Sequence, residues 1–271
     1  MTTPPTTVLS VKGLAKVYGA GEQAVRAIDD VSFEVAEGEY VSIVGPSGAG
    51  KTTLLKCLSG LLPITSGTAE FLGDPIAGPP EGLALVFQDY SRSLAPWMSV
   101  YRNVELPLKA RRLPKAERRD RVSEALESVG LGDRGHQYPW QMSGGMQQRV
   151  AIARGLASHP RLLLMDEPMA SVDAQTRADL EDLVLSVRNR FHVTLLLVTH
   201  DIDESVYMGD RVVVLSDRPT RVHEIIPVDL EGPHDQITTK SDPRFLELRN
   251  RVYAAVRGGN QQPEGAGALG R

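Results

Sequence analysis

The stretch "YVSIVGPSGAGKTT" (Tyr40–Thr53) decides the fold of this chain. A short run rich in apolar and β-branched residues, "YVSIVG", leads into a glycine-rich loop, and "GKTTLLKCLSGLL" continues with helical spacing. The loop "GPSGAGKT" fits the pattern G-x-x-x-x-G-K-[ST] between a strand and a helix. Glycines in such a loop let backbone N–H groups curl around phosphates. The stretch therefore predicts a phosphate-binding loop within an α/β fold.

The residues of this loop have separable tasks. Lys51 supplies a point charge to the β- and γ-phosphates of a nucleotide, and the Thr52 hydroxyl can ligate Mg²⁺. A glycine-rich turn with a chance lysine is the alternative, and the strand and helix on either side argue against it. The predicted nucleotide-binding residues are Gly45, Pro46, Ser47, Gly48, Ala49, Gly50, Lys51, Thr52 and Thr53.

The rest of the chain alternates strand and helix signals. The apolar runs "RLLLMDEP" (Arg161–Pro168) and "VTLLLVTHD" (Val193–Asp201) are typical of strands buried on both faces of a parallel sheet. Between them, "TRADLEDLVLSVRNRF" (Thr176–Phe191) reads as the crossover helix. "LSVKGLAKVY" and "DVSFEVAEGEYVSIV" alternate and indicate antiparallel strands, and helical signals dominate about residues 91–157. We expect a helical insertion in an α/β core.

Polar residues follow three of the predicted strands. Asp166 ends a buried strand, where ligands bind in open α/β sheets, and can hold Mg²⁺ directly or through water. Glu167 comes next and can polarise an attacking water; an acidic pair facing solvent is the alternative. Gln88 follows "LALVF" and His200 follows "LLLVT". Each could reach a γ-phosphate or that water, although a lone glutamine or histidine at a strand end is more often structural.

Three further features lie at turns and helix starts. Tyr18, in "KVYGAG", could stack on a purine or simply pack, and Asp173 is a natural N-cap for the crossover helix. "QMSGGMQQR" (Gln141–Arg149) places two glycines at the mouth of a helix, at a cost of about 1 kcal/mol each relative to alanine. Small residues there leave backbone N–H groups approachable, which suits an anion. Whether the anion belongs to this chain or to another is open at this point.

Taken in order, these pieces resemble the ATP-binding-cassette (ABC) ATPases over about residues 8–230. The A-loop, Walker A, Q-loop, signature, Walker B, D-loop and H-loop of that family match Tyr18, "GPSGAGKT", Gln88, "MSGGM", "LLLMDEP", "ASVD" and His200. The resemblance implies an α/β fold of the P-loop NTPase (RecA-like) type, with an antiparallel β subdomain and an inserted α-helical signature lobe. It implies ATP hydrolysis with Mg²⁺ on Thr52, Gln88 and Asp166, and with Glu167, His200 and Gln88 as catalytic residues.

The resemblance also implies a head-to-tail dimer with a second copy of the chain. Ser143, Gly144 and Gly145 of one subunit would bind the γ-phosphate held by the other, and Asp173 would belong to the same composite site. The signature departs from the usual Leu-Ser-Gly-Gly-Gln at Met142 and Met146. The D-loop reads Ala-Ser-Val-Asp instead of Ser-Ala-Leu-Asp. Since every residue expected for hydrolysis is present, we expect two competent sites per dimer.

Three stretches resemble the ATPases of nitrate, sulfonate and taurine importers: "VFQDYSRSLAPWMSVYRNVELPL", "ESVYMGDRVVVLSDRP" and "DPRFLELRNRV". This implies integral membrane permease subunits, indirectly a substrate-binding protein, and a place at the cytoplasmic face of the cell membrane. Exposed residues within Asp89–Asn103 would form the groove for the permease's coupling helix, or would only pack the helical lobe: Tyr90, Leu94, Trp97 and Met98. An ABC exporter ATPase and a non-transport P-loop ATPase remain alternatives.

Composition sets the outer limits. A formal net charge of −4 gives no sign of nucleic-acid binding, and a single cysteine, Cys57, excludes an internal disulfide. Apolar runs stop far short of the roughly 20 residues that a bilayer span needs, so we expect a soluble or peripheral protein. We expect an ABC ATPase domain at 8–230, with the helical lobe at about 91–157. A C-terminal extension at 231–257 with an amphipathic helix and a disordered tail at 258–271 would follow.

Overall fold

The computed structural model describes residues 6–230 and 232–259, so the predicted disordered tail lies almost wholly outside the described residues. Ten strands form one mixed sheet in the order β5-β4-β1-β2-β10-β9-β3-β8-β7-β6. Their bounds are β1 Thr7–Tyr18, β2 Val25–Ala36, β3 Tyr40–Val44, β4 Ser66–Phe71, β5 Asp74–Pro75, β6 Leu83–Val86, β7 Leu162–Asp166, β8 Thr194–Val198, β9 Arg211–Leu215 and β10 Thr220–Pro227. The helices are α1 Lys51–Leu58, α2 Tyr90–Ser93, α3 Val100–Ala110, α4 Lys115–Ser128, α5 Gly144–Ala157, α6 Ala174–Phe191, α7 Ile202–Met208, α8 Thr238–Ser241 and α9 Pro243–Gly258.

Half of the sheet is parallel, and its central strands are buried on both faces. Strands β9, β3, β8, β7 and β6 all run in the same direction, and every residue of β3, β7 and β8 is buried. Successive residues of β7 pack into opposite clusters, since Leu162 and Leu164 face one core while Leu163 and Met165 face the other. This two-sided burial is the reason why the sequence of these strands reads as continuous apolar runs.

The carboxyl ends of the central strands meet at one edge of the sheet. Ile43 on β3 is paired with Val198 on β8, and Val198 is paired in turn with Asp166 on β7. The loop after β3, the acidic pair Asp166 and Glu167 at the end of β7 and the turn after β8 therefore emerge side by side. The register alone brings the predicted phosphate-binding loop, Asp166 and His200 to a common edge.

The remaining strands form the antiparallel half. β1 pairs with β2 and β4, and β4 pairs with β5, all antiparallel. β10 joins the two halves, because it runs parallel to β2 and antiparallel to β9. The predicted fold class is confirmed: an α/β P-loop core, antiparallel strands beside it, and helices alone between β6 and β7.

The helical lobe is held by apolar contacts and by one buried amide. Helices α3, α4 and α5 pack against one another. Asn103, fully buried in α3, accepts a hydrogen bond from the backbone N–H of Ala95 at 2.8 Å and donates to carbonyls of the Ala95–Ser99 segment. This amide fixes the loop before α3, since a buried amide left without partners would be costly.

The C-terminal helix α9 is docked on the core. Its buried residues recur at helical intervals, at Phe245, Leu248, Val252 and Ala255, and they join the larger hydrophobic cluster. Asp242 caps the helix by accepting a hydrogen bond from the N–H of Arg244 at 2.7 Å. Across the described ranges, no helix combines the length and the apolar character that crossing a bilayer requires.

Candidate nucleotide site

The loop between β3 and α1 has the backbone conformation that its glycines permit. Gly48 and Gly50 have φ values of +82° and +78°, a region that side-chain-bearing residues rarely adopt. Gly50 is the N-cap of α1, and no side chain caps that helix. The first N–H groups of α1 are therefore available to an anion, with the positive end of the helix dipole behind them.

Lys51 is folded over its own loop. Its side chain is almost fully buried, and Nζ donates to the carbonyls of Gly45 at 2.9 Å and Pro46 at 3.0 Å. Burial lowers the pKa of the Lys51 ammonium, while the nearby carboxylates of Glu167 and Asp166 oppose that shift. An ammonium group has three donors, so these two bonds leave one for a ligand. The carbonyls of Gly45 and Pro46 thus position the lysine.

Asp166 and Thr52 form a pair of oxygen donors at the strand edge. The Thr52 hydroxyl donates to Asp166 Oδ1 at 3.3 Å. Asp166 is 5% exposed, and burial raises the pKa of its carboxyl. Within the described ranges, no group of three or more His, Cys, Asp or Glu side chains could hold a metal by itself. The pair fits Mg²⁺, which commonly takes one or two protein oxygens and completes its shell with water and phosphate oxygens.

Glu167 is the hub of the predicted catalytic residues. Its Oε2 lies 3.0 Å from His200 Nδ1 and 3.2 Å from Gln88 Nε2, which donates to it. Glu167 has a φ of +43°, and its N–H donates to the carbonyl of Val198 at 2.8 Å. Non-glycine residues in this left-handed region are concentrated at functional sites, where surrounding contacts enforce the strain. The carboxylate is thereby held between two polar side chains that come from separate strand ends.

A cavity of about 380 Å³, which we call the nucleotide cavity, opens beside this hub. It is lined by residues 47–53 of the loop, by Glu167 and His200, and by Arg218 from the turn between β9 and β10. Arg218 was missed by the sequence analysis. It lies within "ESVYMGDRVVVLSDRP", but nothing in that stretch points to a nucleotide, and only the pairing of β9 with β3 brings Arg218 to this edge.

Tyr18 lies beside the nucleotide cavity but does not line it. Its hydroxyl is 3.4 Å from Thr53 Oγ1 in the first turn of α1, and Lys16 Nζ lies 5.3 Å from the centroid of its ring. The ring is 41% exposed. The described geometry therefore leaves it accessible to a flat ligand on the helix side of the loop.

The residues of "SGGM" and "ASVD" do not line the nucleotide cavity of their own chain. Ser143 caps α5 and accepts from the N–H of Met146 at 3.3 Å, and Asp173 caps α6 and accepts from the N–H of Thr176 at 3.0 Å. Gly145 also has a packing role, since a Cβ built on it would lie 2.4 Å from Thr176 Cγ2. The close approach of α5 and α6 is thus a second reason for a glycine here.

A second, larger cavity of about 780 Å³ lies between β6, α3 and α5, and its lining includes Thr52, Gln88 and Asp166. We call it the lobe groove. Its lining also includes four basic residues, Lys56, Arg92, Arg111 and Arg154, together with apolar side chains such as Leu85, Phe87 and Leu106. The groove therefore connects the nucleotide side of the sheet with the outer face of the helical lobe.

The lobe groove differs from the one expected from residues 89–103. Leu94 is 2% exposed and packs in the core of the helical lobe, so its predicted exposure is wrong. Trp97 is 75% exposed and Met98 is half-buried, and neither lines the lobe groove. The side chain of Tyr90 lies outside the described residues. Leu94 packs into the apolar core of the helical lobe, which removes it from the surface on which Trp97 is exposed.

Comparison of the sequence with known proteins places this chain in a family. The family model described as "ABC transporter" matches residues 28–170. An uncharacterized ABC transporter ATP-binding protein, MJ0412 of Methanocaldococcus jannaschii, is 43% identical over 90% of this chain and 89% of its own length. The nitrate import ATP-binding protein NrtD of Synechocystis is 38% identical over 92% and 95% of the two chains. The aliphatic sulfonates import ATP-binding protein SsuB of Bacillus licheniformis is 40% identical over 90% and 92%.

Solved structures agree with the sequence comparison. The ATP-binding cassette MJ0796, in a dimeric post-hydrolysis state bound to ADP and Pi, superimposes with a TM-score of 0.71 at 31% identity. The match covers 82% of this chain and 100% of that one.

Proposed function

Since this chain belongs to the ABC transporter family, we propose that it is the ATP-hydrolysing subunit of an importer for small anions such as nitrate, sulfonates or taurine. ATP binding and ATP hydrolysis follow from the family. The observation that carries the catalytic assignment is the Glu167 carboxylate, held by Gln88 and His200 at the wall of the nucleotide cavity. The importer assignment is supported by relatives that are named for nitrate and sulfonate import.

Residues on both sides of the phosphate-binding loop bind ATP in this proposal. The N–H groups of Gly48 and of residues 50–53 and the Lys51 ammonium hold the β- and γ-phosphates, whereas the N–H of Ala49 donates to the carbonyl of Pro46 at 3.1 Å. Tyr18 stacks on the adenine. Thr52, Asp166 and the side-chain oxygen of Gln88 hold Mg²⁺, which when bound neutralises phosphate charge. Gln88 can serve both neighbours, because its amide nitrogen donates to Glu167 and its oxygen remains available.

Glu167 then acts as the general base of hydrolysis. A water molecule near the carboxylate transfers a proton to it as its oxygen bonds to the γ-phosphorus, and the bond from that phosphorus to the β–γ bridging oxygen breaks. ADP and inorganic phosphate are the products. His200 presents Nδ1 to Glu167, so its Nε2 is the ring nitrogen that can contact the γ-phosphate. The two neighbours of Glu167 thereby orient the base and the group under attack.

A second copy of the chain completes each site. Ser143, Gly144 and Gly145 of one subunit cap the γ-phosphate in the other subunit, with Asp173 beside them. Two observations support this arrangement. None of these residues lines the nucleotide cavity of its own chain, and the similar cassette MJ0796 is dimeric. The open cavity of one chain therefore becomes a closed site only in the dimer.

The lobe groove is the proposed seat of a permease's coupling helix. Its lining combines apolar and basic side chains, and it reaches Gln88 beside the hydrolytic centre. A helix seated there would respond directly to the state of the nucleotide site. In this proposal the chain lies at the cytoplasmic face of the cell membrane, bound through the permease, and a substrate-binding protein delivers the anion.

Transport measured in reconstituted vesicles tests the proposal. The chain would be purified with its permease and binding protein and assayed for ATP-driven uptake of radiolabelled nitrate, taurine and an alkanesulfonate, with Glu167→Gln as the inactive control. We expect uptake of at least one of these anions by the wild type alone. ATP-driven efflux, or no uptake of any of them by an assembly that hydrolyses ATP, would contradict the importer assignment.

A further inference from the structure

Arg218 lines the nucleotide cavity, yet none of the nucleotide-binding motifs identified in the sequence assigns it a role. It stands in the turn between β9 and β10, at the opposite end of the sequence from the phosphate-binding loop, and it lines the cavity together with residues 47–53, Glu167 and His200. Its guanidinium is the second cation of this cavity after the Lys51 ammonium.

Two contacts fix this turn on the phosphate-binding loop. At one end, Gly45 approaches β9 so closely that a Cβ on it would lie 3.0 Å from the carbonyl oxygen of Leu215. At the other end, the fully buried Thr220 donates its hydroxyl to the carbonyl of Ala49. Both ends of the turn are thus anchored to the loop that would hold the phosphates. The position of Arg218 relative to the cavity is therefore set by the fold.

The charge of Arg218 is uncommitted, unlike that of its neighbours. Arg221 donates to Asp29 Oδ2 at 2.8 Å, and Arg26 pairs with the same carboxylate. Asp217 uses its Oδ1 to accept from the backbone N–H of Arg218 at 2.8 Å. Arg218 itself forms no ion pair with any residue in the described ranges. The guanidinium of Arg218 is therefore available to pair with an anion that enters the nucleotide cavity.

The lining of the nucleotide cavity indicates which part of a nucleotide would supply the anion for Arg218. Tyr18, the proposed adenine platform, does not line the cavity, whereas Glu167 and His200 do. The cavity is therefore the phosphate end of the site. A guanidinium presents several N–H donors in a plane, a geometry that matches two oxygens of one phosphate group.

We propose that Arg218 binds the terminal phosphate of ATP in its own subunit, as a second cation beside Lys51. This assignment rests on the proposed function, since it presumes ATP in the cavity. ADP cannot make this contact, because it has no γ-phosphate. Arg218 thereby helps the subunit to distinguish ATP from its product before a second copy closes over the site.

Nucleotide affinity of the full-length chain tests this role. Titration calorimetry with Mg²⁺ would compare β,γ-imido-ATP and ADP, at concentrations where light scattering shows only monomer. We expect Arg218→Gln to bind the ATP analogue about three- to tenfold more weakly and ADP less than twofold more weakly. The difference should shrink at high salt, because an exposed guanidinium is screened. Arg218→Lys, which keeps the charge but loses the planar donors, should lie in between.

Arg221→Gln is the matched control. It removes the same charge three residues away, but its partner Asp29 lies outside the nucleotide cavity, so it should leave the ratio of the two affinities unchanged. Unaltered affinity of Arg218→Gln for the ATP analogue, or an equal loss for both nucleotides, would overturn the assignment. If wild type and Lys51→Ala bound nucleotide equally poorly, the proposed function itself would fail, and Arg218's role with it.

Discussion

At the scale of single residues, the carboxylate of Glu167 has the geometry of a general base. It is oriented by two side chains through one oxygen, which leaves Oε1 without a hydrogen-bond partner among the described residues. Its backbone is held in the left-handed region by the contact of its N–H with Val198. These contacts hold the carboxylate in one orientation, and a general base must be positioned in this way to accept a proton.

Glu167→Gln should therefore keep ATP binding and lose hydrolysis. The amide has nearly the same shape but cannot accept the proton, and general-base catalysis is worth about 10²–10⁴-fold in rate. Phosphate release and nucleotide affinity measured side by side would show this separation. Lys51→Ala is the contrasting control, with weakened binding. Near-normal turnover in Glu167→Gln would reject Glu167 as the catalytic carboxylate.

Glu204 is a buried carboxyl group that does not line the nucleotide cavity. It is 4% exposed, accepts from the Thr199 hydroxyl at 2.7 Å through Oε2, and has no hydrogen-bond partner on Oε1 in the described structure. Burial raises the pKa of Glu204 to about 8, against the hydrogen bond from Thr199, which lowers it. Glu204 lies in α7, four residues after His200.

The stability of the fold should depend on pH through Glu204. Between about pH 4.5 and 8 the folded state keeps the proton that the unfolded chain releases, so stability falls as the pH rises. Glu204→Gln removes this proton uptake. We expect its melting temperature, measured relative to wild type, to rise steadily from pH 5 to pH 8. A difference that is constant over this range, or that falls, would show that Glu204 is already ionised in the folded protein.

At the scale of secondary-structure elements, the contact between the starts of α5 and α6 joins the signature to the D-loop. Ser143 and Asp173 cap these two helices, and Gly145 on α5 meets the methyl group of Thr176 on α6. The Thr176 hydroxyl also donates to Asp173 Oδ2 at 2.7 Å, so the methyl group cannot rotate away without breaking that bond. The two motifs therefore form one packed unit.

Gly145→Ala should strain this unit. The new Cβ would overlap the Thr176 methyl group, and overpacking of this kind costs roughly 1–3 kcal/mol, against the better helix propensity of alanine, about 1 kcal/mol. We expect thermal unfolding at a lower temperature by a few degrees. Thr176→Ser removes only the methyl group, so the double variant should melt at or above the wild-type temperature. A double variant no more stable than Gly145→Ala would place the strain elsewhere.

At the scale of the whole molecule, the residues of the proposed nucleotide site lie on two separate surfaces of the chain. The phosphate-binding loop, Glu167 and His200 lie at the carboxyl edge of the sheet, while Ser143 begins a helix of the lobe and does not line the cavity they form. A single chain thus displays half of the proposed site and the complement of another half. Two copies packed head to tail would join them.

Activity should therefore depend on protein concentration. We expect phosphate release per molecule to rise with concentration and to level off once dimers predominate, because the cap on the γ-phosphate comes from the partner. Ser143→Arg should abolish hydrolysis by filling the space of that phosphate, while nucleotide binding to the monomer survives. Constant specific activity down to concentrations at which light scattering detects only monomer would disprove the composite site.

The sequence by itself determined the phosphate-binding loop, the buried parallel strands and the acidic pair at the end of β7. Each of these is a local pattern, because a strand buried on both faces must be apolar throughout and a loop that wraps phosphate needs glycine at positive φ. Only the tertiary structure decided that Gln88 and His200 meet on one oxygen of Glu167, that Leu94 is buried, and that Arg218 reaches the nucleotide cavity. These contacts depend on which strands are neighbours and on how the lobe packs. Such long-range pairings bring together residues that are far apart in the chain, and they leave no local periodicity in the sequence.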